Sequence, residues 1–104
     1  MAVVFLVRVV EENGLIVEEV VADKNFNPVR SGFRSIDFPI MGTLDPYGDT
    51  SLNYLQCELL ENEIQKAAPC LKSASVADAF VVELLRLCKV SRAKPQRSLV
   101  FIGD

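Results

Sequence analysis

The stretch VVFLVRVV, residues 3–10, decides the fold, because its apolar side chains are mostly β-branched and run with almost no break. A strand of this composition suits a position in a sheet that is buried on much of both faces. Glu11-Glu12-Asn13-Gly14 follows, and the Asn-Gly pair is the strongest short hairpin signal. We therefore predict a strand over residues 3–10 that turns back at Asn13-Gly14.

The returning segment, residues 15–22, fits two structures. As the second arm of the hairpin it is a strand. Its apolar residues also recur at helical spacing with two glutamates between them, so the pattern leaves a short helix open as the alternative. These apolar residues are Ile16, Val17, Val20 and Val21.

Two further apolar runs predict strands later in the chain. Residues 38–44 (FPIMGTL) read as a short third strand, broken or bulged at Gly42, with Pro39 favouring an edge position. Residues 98–102 (SLVFI) read as the final strand. Because the first and last strands are both strongly apolar, we expect them to be central neighbours in one sheet.

A first helix is predicted directly after residue 50, capped by Asp49, Thr50 or Ser51 and ending near Ala67, before Pro69. Residues three or four apart share one face of a helix, so the spacing of apolar and acidic residues predicts a buried stripe and an exposed face. The buried stripe is Leu52, Leu55 and Leu59, with Cys57, Leu60 and Ile64 beside it, and the exposed face is Glu58, Glu61 and Glu63.

A second helix is predicted from near Ser75, which stands three residues before Asp78 as in a capping box. Its buried stripe is Val76, Phe80, Leu84 and Leu87. The irregular loop over residues 23–37 lies earlier in the chain, and we expect Phe26 and Phe33 to anchor it to the core.

The resulting order is β-β-loop-β-α-α-β. It predicts one α+β domain over residues 1–104, with a mixed or antiparallel sheet of about four strands and two helices packed on one face.

The chain contains no histidine, which removes Ser-His-Asp and Cys-His catalysis and histidine-bound metals within the chain. Its three cysteines, Cys57, Cys70 and Cys88, form no C-x-x-C pair, and Cys57 and Cys88 lie among leucines at helical spacing. We expect both to be buried hydrophobic side chains. The composition accordingly predicts no catalytic residue, no metal site and no cofactor.

The formal net charge is −3, and it is unevenly distributed. Residues 1–63 hold eleven acidic and four basic residues, a net of −7, whereas residues 64–104 have a net of +4. Nucleic-acid binding is disfavoured, because affinity for phosphates needs clustered Lys and Arg. This uneven charge either attracts a charged partner or is neutralised where the two halves of the chain pack together.

No stretch reaches the ~18 apolar residues that a membrane span needs. The N-terminal apolar run contains Arg8 and has no basic leader or cleavage site, so it reads as a strand rather than a signal peptide. The expected location is the cytoplasm, without membrane contact.

The segment DPYGDT, residues 45–50, is the best candidate site. Its Asp45, Tyr47, Asp49 and Thr50 place two carboxylates, a phenol and a hydroxyl beside a predicted helix N-terminus, where anions or a hard cation can bind. The same residues are explained by a type I turn and a helix cap, so both readings stay open. Arg30 and Arg34, in the long loop, are further binding candidates.

The stretches IDFPIMGTLDPYGDTSLNYLQ and LVFIGD resemble a set of small uncharacterised bacterial proteins that share a D-P-Y-G-D-T turn, a following helix and a last strand ending in Gly-Asp. The likeness covers about a third of the chain and implies no known activity. In size and acidic charge the chain is also similar to immunity proteins of bacterial toxin systems.

Three hypotheses of function follow. The first is a non-catalytic protein-binding module with a basic partner, such as a toxin-neutralising immunity protein. The second is a ligand- or metal-binding domain, or a small enzyme, that uses Asp45 and Asp49. The third is a homo-oligomeric domain, since an edge strand near Phe38 could pair across a two-fold axis of a homodimer.

Overall fold

The computed structural model describes residues 5–28 and 31–103. Four strands and two long helices are present in these ranges, with a short 3₁₀ helix at Met41–Thr43. In chain order they are β1 (Leu6–Val10), β2 (Ile16–Val21), β3 (Asp49–Leu52), α1 (Tyr54–Ser73), α2 (Asp78–Arg92) and β4 (Ser98–Ile102).

The strands form one sheet in the order β2-β1-β4-β3, and every neighbouring pair is antiparallel. Both helices pack on one face of this sheet. The α+β prediction is therefore confirmed, as is the central position of the first and last strands. The final strand has the predicted bounds.

The predicted hairpin is confirmed. Residues 15–22, for which the sequence left a strand or a short helix open, contain the strand β2. Gly14 adopts a φ of 89°, which glycine tolerates at no steric cost. The Asn13 side chain accepts a hydrogen bond from the Leu15 N–H at 3.0 Å. The register shifts between Val9 and Val10, so that β2 carries one extra residue, Val17, as a bulge.

The prediction of a strand over residues 38–44 is wrong, because these residues form turns and the 3₁₀ helix. The Gly42 N–H bonds to the Phe38 carbonyl at 2.8 Å, which is a helical rather than an extended spacing. Gly42 also lies against another segment so closely that a Cβ would be 2.4 Å from the Ser35 nitrogen. The homodimer edge expected near Phe38 is therefore not an edge strand.

The predicted start of the first helix is also wrong, since Asp49, Thr50 and Ser51 lie in β3. Asn53 is the N-cap instead, and it forms a complete capping box with Gln56.

The face that α1 buries also differs from the predicted one. Leu55 and Leu59, predicted to be buried, are 55% and 52% exposed, while Glu61 and Glu63, predicted to be exposed, are buried. The helix also continues through Pro69 to Ser73. Gln65 and Pro69 both lie on its exposed side, where water can satisfy the carbonyl that the missing proline N–H leaves free.

The second helix begins at Asp78 after the N-cap Ala77, which makes no side-chain capping bond, so the capping box predicted at Ser75 is wrong. Ser75 instead has a φ of 64° in the connection between the helices. The predicted stripe of Val76, Phe80, Leu84 and Leu87 is buried, as expected from its spacing.

The core lies between the helices and the covered face of the sheet. Phe5, Phe26 and Phe101 form an aromatic cluster there, with ring centroids 6.0–6.5 Å apart. Phe26 and Phe33 are buried, which confirms that they anchor the long loop.

Candidate interaction surface

The sheet has a second face on which neither helix packs, here named the open face. Burial alternates along both central strands, so that every second side chain points away from the helices. The strand registers then assign eleven residues to the open face. They are Leu6, Arg8 and Val10 of β1, Ile16, Glu19 and Val21 of β2, Asp49 and Ser51 of β3, and Ser98, Val100 and Ile102 of β4.

The open face is unusually apolar for a surface in contact with solvent. Six of its eleven residues are Leu, Ile or Val, whereas the solvated face of an antiparallel sheet normally carries polar side chains. One row across three strands, Val21, Leu6 and Ile102, is entirely apolar. Val21 is 66% exposed and Ile16 46%.

The charges on the open face almost cancel. Arg8 on β1 is paired with Glu19 on β2 at 2.5 Å, and both side chains remain partly exposed. Asp49 is the third charged residue of the face, which leaves a local net charge of −1. The apolar residues concentrate on the two central strands, while the carboxylates lie on the two outer strands.

Neither edge of the sheet is well suited to pair with another strand. β3 has only four residues, and β2 carries Glu18 and Glu19 at its middle. Glu18 is bound by Arg86 at 2.9 Å, and this contact is the main cause that raises the pKa of the Arg86 guanidinium. Charged residues in the middle of an edge strand oppose edge-to-edge association.

The DPYGDT segment is held by its own hydrogen bonds. Asp45 Oδ1 accepts the Tyr47 N–H at 2.9 Å, and Thr50 Oγ1 accepts the Asp45 N–H at 3.1 Å. A Cβ on Gly48 would come within 2.6 Å of Asp45 Oδ2. The structure therefore brings Asp45 and Thr50 together as parts of the turn, whereas Tyr47 is 76% exposed.

The turn is also tied to the end of β4. The Gly103 N–H donates to the Gly48 carbonyl at 2.7 Å, and a Cβ on Gly103 would lie 2.5 Å from the Pro46 carbonyl carbon. This contact starts the pairing of β3 with β4 and places Asp49 on the open face opposite Ile102.

Of the two candidate arginines, the structure describes Arg34, which lies neither on the open face nor in the DPYGDT segment. Arg34 forms an exposed ion pair with Asp37 at 3.5 Å within its own loop. Arg30 lies outside the described residues.

Two carboxylates of the first helix, Glu61 and Glu63, are buried although the helical spacing predicts them to be exposed. Glu63 accepts the Ile40 N–H at 2.9 Å and the Met41 N–H at 2.9 Å, so it holds the segment that was predicted to be a strand. Glu61 is bound by Arg92 of α2. The capping box Asn53–Gln56 was the signal for the start of the helix, whereas the burial of the two carboxylates depends on contacts with distant segments.

The cysteines at the helix interface are buried, as predicted. Burial raises the pKa of the Cys57 thiol and, more strongly, that of Cys88. Ser91 Oγ lies beside the Cys57 thiol, buried without a hydrogen bond of normal geometry among the described residues. Both thiols are therefore held in the protonated form, which is a poor nucleophile.

Two shallow depressions lie elsewhere on the surface. One, of about 310 Å³, follows the outer side of α1 along Leu55, Glu58, Leu59 and Asn62. The other, of about 860 Å³, lies beside the β1–β2 turn and is lined by Glu11, Glu12, Asn13, Leu15, Lys94 and Gln96. Both are open to solvent.

Comparison of the chain with protein-family models, curated proteins and solved structures gave no match. Within residues 5–28 and 31–103, neither helix has the length and apolar character that crossing a membrane requires. The same ranges contain no group of three or more cysteine, aspartate or glutamate side chains placed to hold a metal ion.

Proposed function

We propose that this chain is a non-catalytic protein-binding module that uses the open face of its sheet as its contact surface. The observation that carries the proposal is the apolar composition of that face, six of eleven residues, on a sheet whose helices cover only the other side. Exposed apolar patches of this kind mark interaction sites, because leaving them in water costs free energy.

The size of the open face supports reversible binding. Five residues by four strands give ~300 Å² of sheet, from the usual strand rise and spacing. Burying its apolar half contributes about 4 kcal/mol at ~25 cal/mol per Å². Since association itself costs several kcal/mol or more, a partner must contribute a matching surface of its own.

An immunity protein that neutralises a basic toxin is one form of this function. The acidic excess of residues 1–63 supports that form, because opposite charge speeds the diffusional encounter. That long-range effect acts through the whole chain, whereas the local charges of the open face govern what docks on it.

The proposal is tested by placing a photo-crosslinking amino acid at Val21 and, as a matched control, at Val82. Val21 lies on the open face and is 66% exposed, and Val82 lies on α2 and is 65% exposed. After illumination in the native host, we expect a discrete protein adduct from position 21 and none from position 82. Equal crosslinking from the two positions, or none from either, would refute the proposal.

A further inference from the structure

We draw no further inference here: the strongest candidate, the open face of the sheet with Ile16 and Val21 exposed on its outer strand β2, is the surface already described under the proposed function, and nothing in the structure shows what covers it.

Discussion

The two faces of the sheet are built from alternate residues of the same strands, yet they have opposite surroundings. On the covered face, Val7, Val9, Leu99 and Phe101 are fully buried beneath the helices. Their neighbours on the open face, such as Val100 and Ile102, are almost as apolar but remain partly exposed. Composition thus marks both faces as suited to burial, while the fold of one chain covers only one of them.

This difference separates stability from association. The covered face contributes to folding of the single chain, because its side chains leave water when the helices dock. The open face can contribute only when another protein covers it. A substitution on the covered face should therefore lower the free energy of unfolding. A substitution at the next position of the same strand, on the open face, should instead weaken binding to another protein.

The largest difference is expected within β4. Phe101→Ala should lower the free energy of unfolding by about 3–5 kcal/mol, because it opens a cavity beside Phe5 and Phe26. Ile102→Ala should cost less, about 1–2 kcal/mol at low protein concentration, since its side chain is partly exposed. Urea unfolding followed by circular dichroism measures both. Equal losses of stability in the two variants would mean that Ile102 is as buried as Phe101, so that the open face is already covered.

A smaller effect is expected at the carboxylate that anchors the loop on the covered side. Glu63→Gln should destabilise the fold by about 1–3 kcal/mol, because an amide has one acceptor oxygen where two carboxylate oxygens accept the Ile40 and Met41 N–H groups. Glu58→Gln, on the exposed side of the same helix, should change stability by less than about 0.5 kcal/mol. Urea unfolding of the two variants side by side provides the test, and similar values would contradict the anchoring role.

The smallest effect concerns pH and the two thiols of the covered side. Burial raises the pKa of Cys57 and of Cys88 in the folded chain, so unfolded thiols ionise first as the pH rises. Their contribution is therefore complete below the unfolded pKa, near 8.5, and is lost above it. Between pH 8.5 and 9.5 we expect the free energy of unfolding to fall by about 1 kcal/mol through Cys88, the more strongly shifted thiol, and Cys57 to add a loss in the same direction.

The variant Cys88→Ala isolates this effect. It should reduce the slope of stability against pH relative to the native chain, because it removes the more strongly shifted thiol. A slope that does not respond to Cys88→Ala would show that other groups produce the alkaline loss.

Much of the fold was predictable where neighbouring residues determine it. The Asn13-Gly14 hairpin, the β4 strand and the buried stripe of α2 are each encoded by local turn chemistry or by regular apolar spacing. The burial of Phe26 was predictable for a similar reason, since a large aromatic residue in a polar loop has most to gain from the core.

The errors occurred where long-range contacts override local preference. The apolar run over residues 38–44 suited a strand, but the Glu63 carboxylate and the close approach of Gly42 to Ser35 hold it in turns. The candidate site was predictable only in part. Asp45 and Thr50 do meet, in the turn, whereas the open face gives no signal until the strands are placed in order.

The sequence by itself determined the class of fold, the hairpin, the central pair of strands and the absence of histidine chemistry, because these depend on composition and on local spacing. Only the tertiary structure decided that Asp49–Leu52 is the third strand, since a short polar segment becomes a strand through the backbone hydrogen bonds that β4 offers it. Only the tertiary structure decided which sheet face is open. Both helices pack on the same face, although the residues of the other face are also largely apolar.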